Sequence, residues 1–144
     1  MNKKYPSKVS YGLLIFIFVI FFAPFIFDLI DNGFEQNILV KMVFPIILYG
    51  FILYLFFSTA YTIDDGLLKI KFGFFSFRSI DINEITEISK TDNILSSPAP
   101  SFDRIEIKYG KFGSVIISPR NKISFTKDLV QLNPKIKSNL IENQ

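Results

Sequence analysis

Residues 42–72 read MVFPIILYGFILYLFFSTAYTIDDGLLKIKF, and the pattern changes in the middle of that stretch. Met42 to Ala60 is a run of 19 residues without a charge, dense in Ile, Leu, Phe and Tyr. At about 1.5 Å of rise per residue, a helix of that length matches the hydrocarbon core of a bilayer. From Tyr61 the period becomes two. Tyr61-Thr62-Ile63, the turn Asp64-Asp65-Gly66, and then Leu68-Lys69-Ile70-Lys71-Phe72 alternate as the strands of a β-hairpin do. The reading is an apolar helical part, residues 1–60, followed by a water-soluble β domain, residues 61–144.

Working towards the N-terminus, Val9 to Phe27 is a second run of 19 uncharged residues. Two transmembrane helices are expected, at about 9–30 and 38–60. Lys3, Lys4 and Lys8 ahead of the first run resemble the start of a secretory signal, but the run is long for one, lacks a small-residue cleavage pattern, and is followed by a partner run. Pro24 and Pro45 are tolerable in membrane helices. The connector, residues 28–41, carries Asp28, Asp31, Glu35 and only Lys41, with an Asp31-Asn32-Gly33 turn, and is read as a plain connector. Lysines flank the hairpin at its open end, and Lys69, Lys71 and Arg78 follow, so both termini are expected in the cytoplasm. The expected location is the bacterial cytoplasmic membrane, crossed more than once.

Working towards the C-terminus, further strands are expected at 77–82, 85–90, 104–109 and 114–118, punctuated by Gly73, Gly110 and Gly113. A helix over about 119–132 should follow, with Ser118 as its cap and Pro119 at its first position. Phe125, Leu129 and Leu132 would form its apolar stripe, and Asn133-Pro134 would end it. Residues 135–144 are expected to fray or add a short turn. Six or seven short strands closed by one amphipathic helix imply a bent β-sandwich or partly open barrel.

The composition excludes much chemistry. The chain has no Cys and no His, which removes disulfides, thiolate nucleophiles and the usual general base and zinc ligand. The serines have no base to activate them, and Asp64, Asp65, Asp81, Glu84 and Glu87 form no convincing metal set. No cofactor, no metal and no catalytic residue is expected. The net charge of +3 is explained by basic residues beside the membrane rather than by a nucleic-acid partner.

Several segments together resemble one family. Ser96-Ser97-Pro98-Ala99, Ser101, Asp103-Arg104-Ile105-Glu106-Ile107, Ile116-Ile117-Ser118-Pro119-Arg120, Phe125, Leu129 and Asn133-Pro134 resemble the YyaB-like bacterial PH domain family, over roughly Tyr61 to Pro134. The resemblance implies a pleckstrin-homology-like fold behind membrane helices and a non-enzymatic binding module. Some members are linked to bacteriocin immunity, so a protein or peptide partner is implied besides the lipid bilayer. The reading from another class is a structural or regulatory scaffold that binds a neighbouring membrane protein or an anionic lipid surface.

The candidate motif for structure or binding is Ser96, Ser97, Pro98, Ser101, Asp103, Arg104, Ser118 and Pro119. Pro98 and Pro100 stiffen a loop whose hydroxyls and Asp103 can accept backbone N–H groups. By alternation Ile105, Ile107 and Tyr109 face inwards, while Arg104, Glu106 and Lys108 face water, which makes Arg104 an exposed ion-pairing residue. A phosphoinositide site is not expected, because the first hairpin turn is acidic. Phe74, Phe75 and Phe77 are read as core residues rather than as a membrane-dipping turn, since Phe is mostly buried.

Overall fold

The computed structural model describes residues 2–33, 37–93 and 99–141. Two long helices lie near the N-terminus, α1 (Tyr11–Asn32) and α2 (Ile38–Phe57). Ser10 caps α1 by accepting from the Leu13 N–H, and the Gly33 N–H closes its other end on the Leu29 carbonyl. The helices pack as a hairpin: Tyr49 packs edge-on against both Phe18 and Phe22, and its hydroxyl donates to the Leu14 carbonyl at 3.2 Å. Only 11% of either apolar window is buried, so these are not the core helices of a soluble protein. Both are long and apolar enough to cross a membrane.

Among the described residues there are nine short strands, the first ahead of α1 and the others after α2. β1 (Lys3–Pro6), β2 (Ala60–Asp64), β3 (Leu67–Phe72) and β4 (Phe75–Ser76) run antiparallel in that order, and β5 (Ile80–Asp81) pairs with the start of β3. The β2–β3 turn places Asp65 at φ 48° and Gly66 at φ 76°, the left-handed pair that a two-residue hairpin needs. The second sheet has the order β8 (Gly113–Ile117), β7 (Arg104–Tyr109), β6 (Ile85–Thr91), β9 (Lys137–Ser138), with β9 parallel to β6.

One core joins the two sheets. Tyr61 and Ile63 of β2, Leu68 and Ile70 of β3, Ile88 of β6 and Ile105 and Ile107 of β7 are buried, each at period two. Helix α3 (Lys122–Leu132) lays Phe125 and Leu129, one turn apart, into the same core. The sheets do not close into a barrel.

Five expectations need correction. α3 starts at Lys122 with Asn121 as its cap, accepting from the Ser124 N–H at 3.0 Å, and Ser118 and Pro119 lie before it in extended chain. The reason is that Ser118 and Arg120 are engaged by residues 6–8 in a short antiparallel ladder: Lys8 N–H donates to the Ser118 carbonyl and Arg120 N–H to the Pro6 carbonyl. Residues 3–6, expected only as a basic flank of the hairpin, form an edge strand of the domain through β2. Leu132 is exposed, so the α3 stripe is Phe125 and Leu129, and the residue after Leu132 is used instead: the Asn133 amide donates to the Ile82 and Ile85 carbonyls. The tail adds β9, whose anchor is the buried Ile136. The expected 77–82 strand is interrupted: β4 and β5 flank residues 77–79.

Candidate functional site at the junction of hairpin and domain

Of the polar residues singled out by the sequence, Ser101, Asp103, Arg104 and Ser118 lie among the described residues and come together where the helices meet the domain. The N-terminal segment lies between β2 and residues 118–120, and from there Ser10 leads directly into α1. At its centre the Tyr61 hydroxyl, wholly buried, accepts from the Ser118 N–H at 3.1 Å and shares a hydrogen bond with the Ser7 hydroxyl at 3.1 Å. Ser7 also bonds the Ser118 hydroxyl at 3.0 Å. Burial pushes the Tyr61 phenol above its usual value, against the opposing pull of the Ser118 and Ser7 hydrogen bonds, so it stays neutral.

Two carboxylates hold the segment in place. Asp103 accepts from Lys8 at 2.8 Å and from Lys122 of α3. Partial burial works to raise its pKa, but hydrogen bonds from Lys122 and Lys8 outweigh that and leave it below the usual value. Asp128 of α3 accepts from Lys3 at 2.6 Å and from the Tyr5 hydroxyl, and its pKa is likewise lowered, burial working to raise it and the hydrogen bonds from Lys3 and Tyr5 outweighing that.

Arg104 corrects the surface reading. It is only 6% exposed, and its guanidinium donates to the Ser101 and Asn93 carbonyls, with the Phe102 ring 5.9 Å away. The loop ahead of β7 folds over what alternation marks as a solvent face, and two carbonyls take the place of the expected acid. Burial lowers the Arg104 pKa. Ser101 is buried and accepts from the Asp103 N–H, and the neighbouring Pro100 carbonyl accepts from the Ser10 N–H at 3.0 Å. The loop thereby touches the start of α1. Ser96, Ser97 and Pro98 lie outside the described residues.

The β3–β4 turn corrects the core reading of its aromatics: Phe74 is 70% exposed, and Phe75 and Phe77 are exposed as well. Phe74 packs on α2, 4.6 Å from the Tyr54 ring and stacked at 6.4 Å on Phe51. Gly73, at φ 59°, makes the approach possible, because a Cβ there would run into Leu55 Cδ2. No sequence signal marked this docking.

Chemically the junction is a set of hydroxyls, two lysine-bound carboxylates and a buried guanidinium. Among the described residues neither carboxylate is hydrogen-bonded to Ser7 or Ser118, whose hydroxyls bond one another. Among the described residues no group of three or more carboxylates gathers to hold a metal.

Two sheets around one core, with an amphipathic helix across them, make a PH-like domain. The profile of the bacterial PH domain family matches residues 59–133, just over half of the chain, and the chain belongs to that family. Searches of curated proteins and of solved structures find no match.

Proposed function

We propose that this chain is a non-enzymatic, membrane-anchored PH-like module that binds a protein or peptide partner at the cytoplasmic face of a bacterial membrane. PH domains are in general binding modules rather than catalysts, and the two apolar helices supply the anchor. The observation that carries the reading is the insertion of residues 3–8 between β2 and residues 118–120. A domain tied in this way to the start of α1, with α2 running straight into β2, is not a freely tethered one. It works at a fixed height above the bilayer, on something that is itself in or on the membrane. Lys3, Lys4 and Lys8 before α1 and Lys69, Lys71 and Arg78 after α2 favour the cytoplasmic side.

Self-protection against a bacteriocin is the role that the resemblance to YyaB-like proteins supports: a domain held beneath the bilayer would meet a membrane-inserting peptide as it emerges. The test is purification from native membranes in mild detergent through a C-terminal tag, with identification of what remains bound, alongside a toxin challenge of cells with and without the chain. A bound peptide and toxin-dependent survival support the reading. A membrane protein recovered in constant ratio, with no change in survival, makes the chain a scaffold instead.

A further inference from the structure

A groove runs along the outer side of the junction. Pro6, Lys8, Thr59 and Arg120 line it together with Tyr11 and Phe57, the first residue of α1 and the last of α2. It continues past Arg120 towards Asn121 and Lys122. Three features bear on its occupant. The hairpin brings the start of α1 and the end of α2 to the same end, so the groove opens where both apolar spans stop, the level of lipid headgroups. Tyr11 is 69% and Phe57 60% exposed, aromatic rings at the depth where membrane proteins place them.

The third feature is charge. Lys8, Arg120 and Lys122 stand against one carboxylate, Asp103, which is held by the two lysines. Arg120 is exposed and, among the described residues, has no carboxylate at ion-pair distance. Its backbone is fixed by the N–H bond to Pro6 at 3.0 Å while its fork of donors is unspent. An excess of positive charge beside exposed aromatics, at headgroup height, fits an anionic headgroup with its acyl chains along the helices.

We propose that this groove holds the phosphate of an anionic phospholipid, with the Arg120 guanidinium as its main donor. The proposal rests on the membrane-anchored reading and adds to it a lipid site separate from the first hairpin turn, where Asp64 pairs with Lys69 and Asp65 makes the turn acidic. Bound lipid would set the tilt of the domain on the membrane, because the groove is formed jointly by both helices and the domain.

The test uses the full chain in mild detergent with equal amounts of phosphatidylglycerol and phosphatidylcholine, read by native mass spectrometry. The expected result is a preference for phosphatidylglycerol of about fivefold, the factor that ~1 kcal/mol per basic residue at an anionic surface represents. Arg120→Gln should bring the ratio close to one, Arg120→Lys should keep part of it, and inorganic phosphate should not compete. Since the Arg120 side chain makes no hydrogen bond or ion pair among the described residues, the variant should fold, which an unchanged thermal midpoint verifies. Equal retention of both lipids by the unaltered chain, an undiminished preference in Arg120→Gln, or displacement by inorganic phosphate would each overturn the lipid site. Carbonate washing of membranes separates the two levels: release of the protein refutes the anchor itself, whereas a retained protein without lipid preference refutes only the groove.

Discussion

Lys8 and Asp103, 95 positions apart in the sequence, meet at 2.8 Å, and Lys122 of α3 reaches the other oxygen of the same carboxylate. One side chain therefore ties the residue just ahead of α1 to the start of the closing helix. The connection adds to the ladder of β1, an edge strand of four residues.

Asp103→Asn removes the charge that both lysines face while keeping the shape. Asp103 is about a third exposed, so solvent screens the pair and the loss in global stability should be small, ~1 kcal/mol or less. The local effect should be larger. The amides of Ser7 and Lys8, which donate to Thr59 and Ser118, should exchange with deuterium faster in the variant, while those of β7 keep their protection. Unchanged exchange at Ser7 and Lys8 would show that the ladder holds without the carboxylate.

Acid should open the same region. Asp103 and Asp128 both have folded-state pKa values below the usual ~3.9. A depressed carboxylate contributes stability that is present above its unfolded pKa and lost as pH falls through its folded one. The contribution is therefore intact at neutral pH and should disappear below about pH 4. Hydrogen exchange or limited proteolysis at residues 2–10, followed from neutral pH downwards, should show release there before the sheets unfold. In Asp103→Asn with Asp128→Asn that early step should be absent, the segment being loose at every pH.

Arg104 should be costly to remove. Arg104→Ala takes the donor from the Ser101 and Asn93 carbonyls and leaves space beneath Phe102, for which ~2–3 kcal/mol is the usual range of a broken buried hydrogen-bond network. Arg104→Lys should recover only part, since one ammonium cannot reproduce a planar fork. Denaturant unfolding in detergent measures both. A surface residue would give losses near zero, which is what alternation along β7 predicts and what the burial of Arg104 denies.

The hairpin of helices, the β2–β3 turn and the inward faces of β3 and β7 were legible because each is written in local periodicity. Residues 3–6 were not: two lysines, a tyrosine and a proline carry no strand signature, and their partner in β2 lies beyond two membrane-length helices. Ser118-Pro119 has the local chemistry of a helix start, and only the ladder with residues 6–8 keeps it extended. Arg104 obeys the parity of its strand, yet a loop covers that face. For residues 3–6 and Ser118-Pro119 the missing information was a partner distant in the sequence, and for Arg104 it was the chain just ahead of it, whose Ser101 and Asn93 carbonyls cover a face that strand parity assigns to water.

The aromatic turn gives the sharpest test of where the domain meets the bilayer. Phe74 lies against Tyr54 and Phe51, three and six residues before the last residue of α2, so a helix rise of about 1.5 Å per residue places that contact ~5–9 Å inside the apolar span. If α2 crosses the membrane, an exposed Phe74 faces acyl chains, where its exposure costs nothing, rather than water. The chain has no Trp, so Phe74→Trp creates a single emitter. In vesicles its fluorescence should be blue-shifted and strongly quenched by lipids brominated near the headgroup end of the chain, and insensitive to iodide in the buffer. Gly73→Ala in the same background should weaken both effects, since a Cβ at Gly73 must push Leu55 aside at a positive φ and lift the turn off α2. Emission quenched by iodide and indifferent to brominated lipid would place the turn in water and move the bilayer surface towards the middle of α2.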